Sequence, residues 1–519
     1  MTQTQNQPPQ PRSLPGPGLA WLLLGLATLL RFYHLGRQSI WVDEYTSFLC
    51  ANPYGTLSFA DLWENLHGPL HAVAVNAMVR WLGMTTLALR LPTAIAGALT
   101  VGVVYRVAER ALGRGGLLAA ALAAFSPFLI WYSQEARNYA FVVLFAATAT
   151  WAWVEILQTR RLAWWGVYVA ACVAGILSNL SMLFVIAAHF GHWAYMAWRE
   201  RRAFRAVRPW TWYVLLVVAA VSPWLWQLSQ AVDWRILFMH VPASDRLERA
   251  VGMTWLAVPY TFFTFCLGFS MGPSPRELHG ARSLPVFAHH LWWMIPAAVF
   301  FAWLTVRGIQ RLSRRRNAFV LVMCWLFVPL VLTLYITMRN VKVFNPRYVA
   351  VSLPALFLVW TEALLTLRRR WVAWAAGVVL AAFWGAALFQ HYYDPAYDKD
   401  DVRGAGAYVA RHWKEGDFVL TAGAATPIRF YLPRHYPSGH FWLGFAADTV
   451  RLEPNFRRFL PPAGGRVWVV SGRPRWYDPD DNFQRFMERR KPLDRQEFLG
   501  CTVYLLGNDS SGVSGPVGR

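Results

Sequence analysis

Apolar residues along this chain fall in long unbroken blocks, without the one-sided striping of a soluble helix or the alternation of a half-buried strand. The blocks lie at about 18–36, 68–84, 91–108, 115–131, 138–158, 163–179, 181–198, 210–229, 251–271, 286–306, 318–337, 348–366 and 371–390. At 1.5 Å rise per residue, runs of roughly 17–22 residues reach across ~30 Å of hydrocarbon as helices. The pattern predicts an all-α polytopic membrane protein with about 11 to 13 transmembrane helices.

The polar stretches between the blocks sort by charge. Basic clusters at 159-TRRL-162, 199-RERRAFRAVR-208, 307-RGIQRLSRRR-316 and 367-LRRR-370 mark the cytoplasmic side. That puts the 33–67 loop, the 132–138 turn, the 230–250 loop, the 338–348 turn and everything after residue 390 on the outer face, with the N-terminus inside. Two places break the parity. If 68–84 and 91–108 both cross, 106-RVAERALGRG-115 lands outside, and the same conflict arises within 251–306. One segment of each pair is expected to be short, tilted or re-entrant, packed in protein or lining a cavity.

Composition agrees with embedding: of 519 residues 56% are hydrophobic and 15% charged. The net charge of +22 would suggest nucleic acid in a soluble protein. Here the basic residues occupy short loops between apolar blocks, so no nucleic-acid partner is expected. Cys50, Cys172, Cys266, Cys324 and Cys501 form no C-x-x-C, and neither zinc nor redox chemistry is indicated. Cys50 and Cys501 both fall on the outer side, which leaves a disulfide between them as one possibility. Residues 1–17, polar and Pro-rich, read as a disordered cytoplasmic tail, and the first block, with no small-residue cleavage site after it, as a retained helix.

After residue 390 the pattern changes. A charged helix candidate at 400–416 precedes strand-like runs at 417–423 and 467–472, a helix at 482–490 and a last strand at 502–506. Residues 391–507 therefore read as an extracytoplasmic α/β domain, and 508–519 as a disordered tail. No internal repeat is visible, which counts against an inverted-repeat transporter.

Candidate chemistry lies in the outer loops. In 39-SIWVDEYTSFL-49, Asp43 and Glu44 stand between Trp41 and Tyr45. They either cap an interfacial helix, or supply a general base for an acceptor hydroxyl with a neighbour that orients the acceptor or binds a metal. In 64-ENLHGPLHAV-73, His67 and His71 share one helix face, as a metal pair or in ordinary polar contacts. Glu135 and Arg137 follow 125-FSPFLIWYS-133; the arginine either snorkels to lipid or meets a phosphate. Arg339, Lys342 and Arg347 put three cations in an outer turn that the positive-inside rule leaves unexplained, next to Tyr348. Cations there are suited to holding an anion such as a lipid phosphate. Carboxylates at one end of an outer pocket and cations at the other are the chemistry of group transfer from a phosphate ester.

These residues, in this order, resemble the GT-C class of membrane glycosyltransferases, in the branch of the protein O-mannosyltransferases and the lipid A aminoarabinose transferase. The matching features are Asp43-Glu44 in the first outer loop, 67-HGPL-70, the run from Ser126-Pro127 through Ser133, Arg137 and Tyr139, and Arg347-Tyr348 ahead of Pro354. The resemblance spans roughly residues 18–390. It implies an inverting transfer of a sugar from a polyprenyl-phosphate carrier to a glycan, lipid or protein acceptor, at the outer face of a bacterial inner membrane. Asp43 would be the base, assisted by Glu44. His67, Arg137, Lys342, Arg347 and Tyr348 would line the donor phosphate, with Tyr45, Glu135 and Tyr139 as further substrate contacts. Gly68 stands where the family usually has Pro, and Leu66 where the aminoarabinose transferase has an acid, so use of a divalent cation stays open. Neither C-terminal β-trefoil modules nor the Trp-rich acceptor motif of oligosaccharyltransferases is present. Two other readings share the architecture: a ligase or polymerase using a lipid-diphosphate donor, and a transporter of lipid-linked sugar.

Overall fold

The computed structural model describes residues 17–65, 68–231, 257–274, 277, 283–339, 344–441, 452–453, 456, 465–473 and 482–507. The body is helical: α1 (Pro17–Phe32), α2 (Val42–Cys50), α3 (Phe59–Glu64), α4 (Pro69–Leu82), α5 (Thr86–Leu112), α6 (Gly116–Phe125), α7 (Pro127–Ser133), α8 (Tyr139–Thr159) and α9 (Ala163–Ser178). It continues with α10 (Met182–Arg199), α11 (Arg201–Val207), α12 (Trp210–Ala231), α13 (Ala257–Leu267), α14 (Ser283–Leu312) and α15 (Arg316–Met338). A 3-10 turn (Pro346–Ser352) then leads into α16 (Leu353–Leu365), followed by α17 (Arg370–Tyr393). Among the described residues seven helices are long and apolar enough to cross a membrane, or eight if α6 and α7, bent by 59° at Ser126-Pro127, make one span. Three shorter apolar helices among the described residues, α1, α9 and α13, fall below that length.

Ion pairs identify the two ends of the bundle. Glu362, near the end of α16, takes Arg114 at 2.8 Å and Arg315 at 3.2 Å, and Arg110 pairs with Glu155 of α8 at 2.7 Å. The basic stretch 106–115 thus sits with the other arginine-rich loops, where the positive-inside rule wants it. At the other end, the Gln134 amide donates to the carbonyls of Leu30 and Tyr33, and the Asn138 amide to that of Ser178. With α5 running from this end to the basic end, α4 has both of its ends on the same side. Its 14 residues span only ~21 Å. The described part of α13, 11 residues, is likewise shorter than a crossing needs. The conflict within 68–108 disappears because α4 is not a crossing; part of the other stretch, 251–256, lies outside the described residues.

Gly68 shows how tightly α4 is seated. Its φ is +110°, and a Cβ there would lie 2.2 Å from the Ser178 carbonyl oxygen. Where the resembling family has proline, this chain needs the one residue that accepts positive φ without a side chain. Gly68→Ala is expected to cost about 1–3 kcal/mol from backbone strain alone, read as a lowered Tm of the purified protein.

Past α17 the chain builds a mixed sheet: α18 (Val402–His412), β1 (Phe418–Gly423), β2 (Ser438–Phe441), β3 (Val467–Gly472), α19 (Asn482–Arg489), β4 (Asp494–Phe498) and β5 (Cys501–Leu506). The strand order is β2-β1-β3-β5-β4, with β2, β1 and β3 parallel and β5 antiparallel to both of its neighbours. Alternation along β1 and β3 sends Val419, Trp468 and Val470 towards α18, and Leu420, Ala422 and Val469 towards α19. The sequence pattern misses β2 and β4. These are the edge strands, SGHF and DRQEF, and they carry no apolar alternation because most of their side chains are partly or fully exposed on both faces. Cys50 and Cys501 are both free, Cys501 buried in β5 with its thiol on the Asp401 carbonyl, so the possible disulfide is not formed.

Candidate active site

The loop from α1 to α5 is held between the bundle and the sheet domain. Arg403 of α18 donates to the carbonyls of Gly36 and Arg37 and to the Thr86 hydroxyl, and the Ile40 N–H donates to the Tyr431 hydroxyl at 2.8 Å. This docking fixes the entry to α2, which carries the acidic pair on two different faces, as consecutive helical positions must.

Glu44 points into the protein and is fully buried. Arg90, at the start of α5, meets it with two bonds of 2.7 and 2.8 Å, Lys399 Nζ lies at 2.9 Å, and the Ala136 N–H donates at 2.8 Å. The Trp41 N–H adds a longer bond of 3.4 Å, so the capping reading applies to Glu44 in part. Burial on its own would raise the Glu44 carboxyl; Arg90 and Lys399 outweigh it and hold the group at about 2. Lys399 also lies 3.5 Å from Glu135, whose carboxyl burial pushes up despite that cation.

Asp43 is different, with its side chain 27% exposed. Arg347 NH1 lies 2.7 Å from Asp43 Oδ2, and Arg137 Nε lies 4.0 Å from the same oxygen while its NH1 donates to the Asp43 carbonyl and the Ser47 hydroxyl. Arg137 comes from the turn after the α6–α7 bend. That bend is set by Pro127 at the first helical position and by Ser126, whose hydroxyl accepts the Leu129 N–H. Arg347 comes from the 3-10 turn ahead of α16, where it lies over the Tyr139 and Tyr348 rings. The buried Nε of each arginine has no hydrogen-bond partner among the described residues.

Asp43, Glu135, Arg347 and Lys399 line a cavity of about 320 Å³, large enough for a sugar phosphate. Tyr260 and Phe263 of α13 and Trp131 of α7 make its apolar wall. The sheet domain closes the far side: Arg473, just past the carboxyl end of β3, is held by Asp400 at 2.7 Å, and both line the cavity.

The structure thus brings Asp43, Glu135, Arg137, Arg347, Tyr139 and Tyr348 together, with Glu44 behind them. Tyr45 faces away from this cavity into another. His71 is buried in α4 against Phe141, edge to face. His67 and Lys342 lie outside the described residues, as does Leu66. Among the described residues no group of three His, Cys, Asp or Glu converges on a metal-sized site, and the three carboxylates here already have basic partners. Sequence reading missed Arg90 and Lys399. A lone arginine inside the apolar run 87-LALRLPTAIAG-97 is a signal that could have found the first. Lys399, among the acids of 394-DPAYDKDD-401, carries no such signal.

Residues 66–226 match a family model described as dolichyl-phosphate-mannose-protein mannosyltransferase. No curated protein sequence matches the chain. Among solved structures, the chain is similar to ArnT from Cupriavidus metallidurans in the apo state, with 15% identity and a TM-score of 0.61 over 96% of this chain and 99% of that one. The same protein bound to undecaprenyl phosphate matches with 15% identity and a TM-score of 0.60, over 97% of this chain and 100% of that one. The Archaeoglobus fulgidus oligosaccharyltransferase in its apo form matches with 12% identity and a TM-score of 0.52, over 89% of this chain and 71% of that one. A bundle of apolar helices, a first long interhelical loop carrying the acidic pair and a small sheet domain over the cavity make this chain a multi-pass membrane protein with the fold of the GT-C glycosyltransferases.

Proposed function

We propose that the protein is an inverting glycosyltransferase that moves a sugar from a polyprenyl-phosphate carrier to an acceptor hydroxyl or amine. The reaction takes place at the periplasmic face of a bacterial inner membrane. The observation that carries this reading is the pairing of a partly exposed carboxylate, Asp43, with two arginines whose buried Nε donors have no partner among the described residues. The ArnT structure with undecaprenyl phosphate supports a carrier of that class.

In this reading Asp43 accepts the proton of the acceptor hydroxyl as its oxygen bonds to the anomeric carbon. The bond from the anomeric carbon to the phosphate oxygen breaks, its electron pair stays on the phosphate, and Arg347 and Arg137 stabilise the charge that gathers there. Attack from the side opposite the leaving phosphate inverts the anomeric centre. Glu44 orients the site by holding Arg90 and Lys399 and makes no contact with the substrate.

The test is release of carrier by purified protein in nanodiscs from a panel of polyprenyl-phosphate monosaccharides. Turnover of one donor supports the reading. Turnover of lipid-diphosphate oligosaccharides alone would make it a ligase, and movement of lipid-linked sugar across the bilayer without release a transporter. Arg347→Gln is expected to lower kcat/KM for the donor about 10–100-fold, through loss of one charge-assisted contact at the phosphate.

A further inference from the structure

A second cavity, of about 350 Å³, opens between α2 and the sheet domain. Tyr45 and Leu49 of α2 line it with Tyr54, and the segment between β1 and β2 adds Arg429, Arg434 and Tyr436. Helical spacing makes α2 the partition between the two cavities. Glu44, Phe48 and Ala51 are buried in the core, Asp43 and Ser47 face Arg137, and Tyr45 and Leu49, four residues apart, share the remaining side. The half-exposed Val42 and Thr46 form the ridge between the two openings.

The second cavity is built of aromatic faces and guanidinium groups. The Arg434 guanidinium lies 3.3 Å from the centre of the Tyr54 ring. Arg429 is pinned by Ser438, its Nε donating to the hydroxyl at 2.8 Å and NH2 to the carbonyl at 2.9 Å. Tyr436 stacks on Trp413 at 3.7 Å, a rigid platform. Neither arginine has a carboxylate partner among the described residues, whereas Arg137 and Arg347 at the first cavity both do. Tyrosine rings accept the C–H face of a pyranose, and guanidinium groups pre-placed without counter-charge select an anion.

We propose that this pocket is an acceptor subsite for an anionic saccharide, a sugar bearing a carboxylate or a phosphate. The proposal deepens the transferase reading and rests on it. An acceptor anchored here and lying across the Val42–Thr46 ridge brings its next hydroxyl to Asp43 on the adjoining face of α2. The donor keeps its own cavity on the other side.

The test is calorimetric titration of the full-length protein, in nanodiscs of neutral lipid, with tetragalacturonate, phosphorylated maltotetraose and plain maltotetraose. At least one anionic probe is expected to bind, weakening as salt rises, and plain maltotetraose to bind far less. R429Q/R434Q is expected to weaken the anionic probe at least about tenfold, and R429K/R434K to restore part of it. Which anionic probe binds identifies carboxylate or phosphate as the recognised group. Equal binding of plain maltotetraose, or anionic binding indifferent to R429Q/R434Q, overturns the subsite. Carrier release by the same variant separates the two claims. Arginine-dependent binding without consumption of any donor keeps an anionic-saccharide site and ends both its acceptor role and the transferase reading; donor consumption without arginine-dependent binding ends the subsite and keeps the transferase.

Discussion

Replacing Asp43 with Asn is expected to lower sugar transfer by about 10²–10⁴-fold, the range a positioned general base contributes. The substitution keeps shape and hydrogen-bonding capacity but removes the basic oxygen. Asp43 is at the surface of the cavity and α2 is anchored by Glu44, Phe48 and Ala51, so the fold should survive, with Tm close to that of the wild type. The rate loss should fall on kcat with donor affinity kept or raised, since Arg347 loses its intramolecular partner and is left free for phosphate. Carrier release, measured over a range of donor concentrations, checks both. Full activity in Asp43→Asn would leave the aspartate as a salt-bridge partner only and place the base elsewhere.

Glu44→Gln is expected to act on stability before chemistry, costing about 3–5 kcal/mol. Removing the carboxylate leaves Arg90, 2% exposed, with an uncompensated charge in the core, and frees Lys399 from its nearest partner. Glu44→Leu combined with Arg90→Met should cost much less than the two single changes summed, because the arginine charge leaves the core with the carboxylate and Lys399 keeps Glu135 at 3.5 Å. Thermal unfolding in detergent reads these differences. The same ion cluster sets an acid limit. Glu44 titrates lower in the folded protein than in the unfolded chain, so its contribution is fully present above the ordinary glutamate range and is lost as pH falls towards about 2. Glu44→Gln should flatten the pH dependence of Tm across that window.

Asp43 and Glu44 are adjacent in sequence and opposite in situation. One helical step of about 100° puts Asp43 at the cavity beside Arg347 and Glu44 in the core beside Arg90. A sequence can announce an acidic pair at the exit of a membrane helix. It cannot say which carboxylate meets solvent, because that depends on how α2 is rotated by Arg403, Tyr431 and the α5 arginine.

The sequence by itself determined the embedded helical body, the gathering of its basic loops at one end, the change to an α/β domain after the last apolar block, and the short stretches holding Asp43, Arg137 and Arg347. These are properties of local composition: hydrocarbon length, loop charge and strand alternation are written residue by residue. Only the tertiary structure decided that α4 begins and ends on one side of the bundle, that SGHF and DRQEF are strands, and that Lys399 reaches back from beyond the bundle to Glu44. Those outcomes rest on contacts between residues as many as 355 positions apart. Packing and charge pairing at that separation leave no periodic trace in the chain.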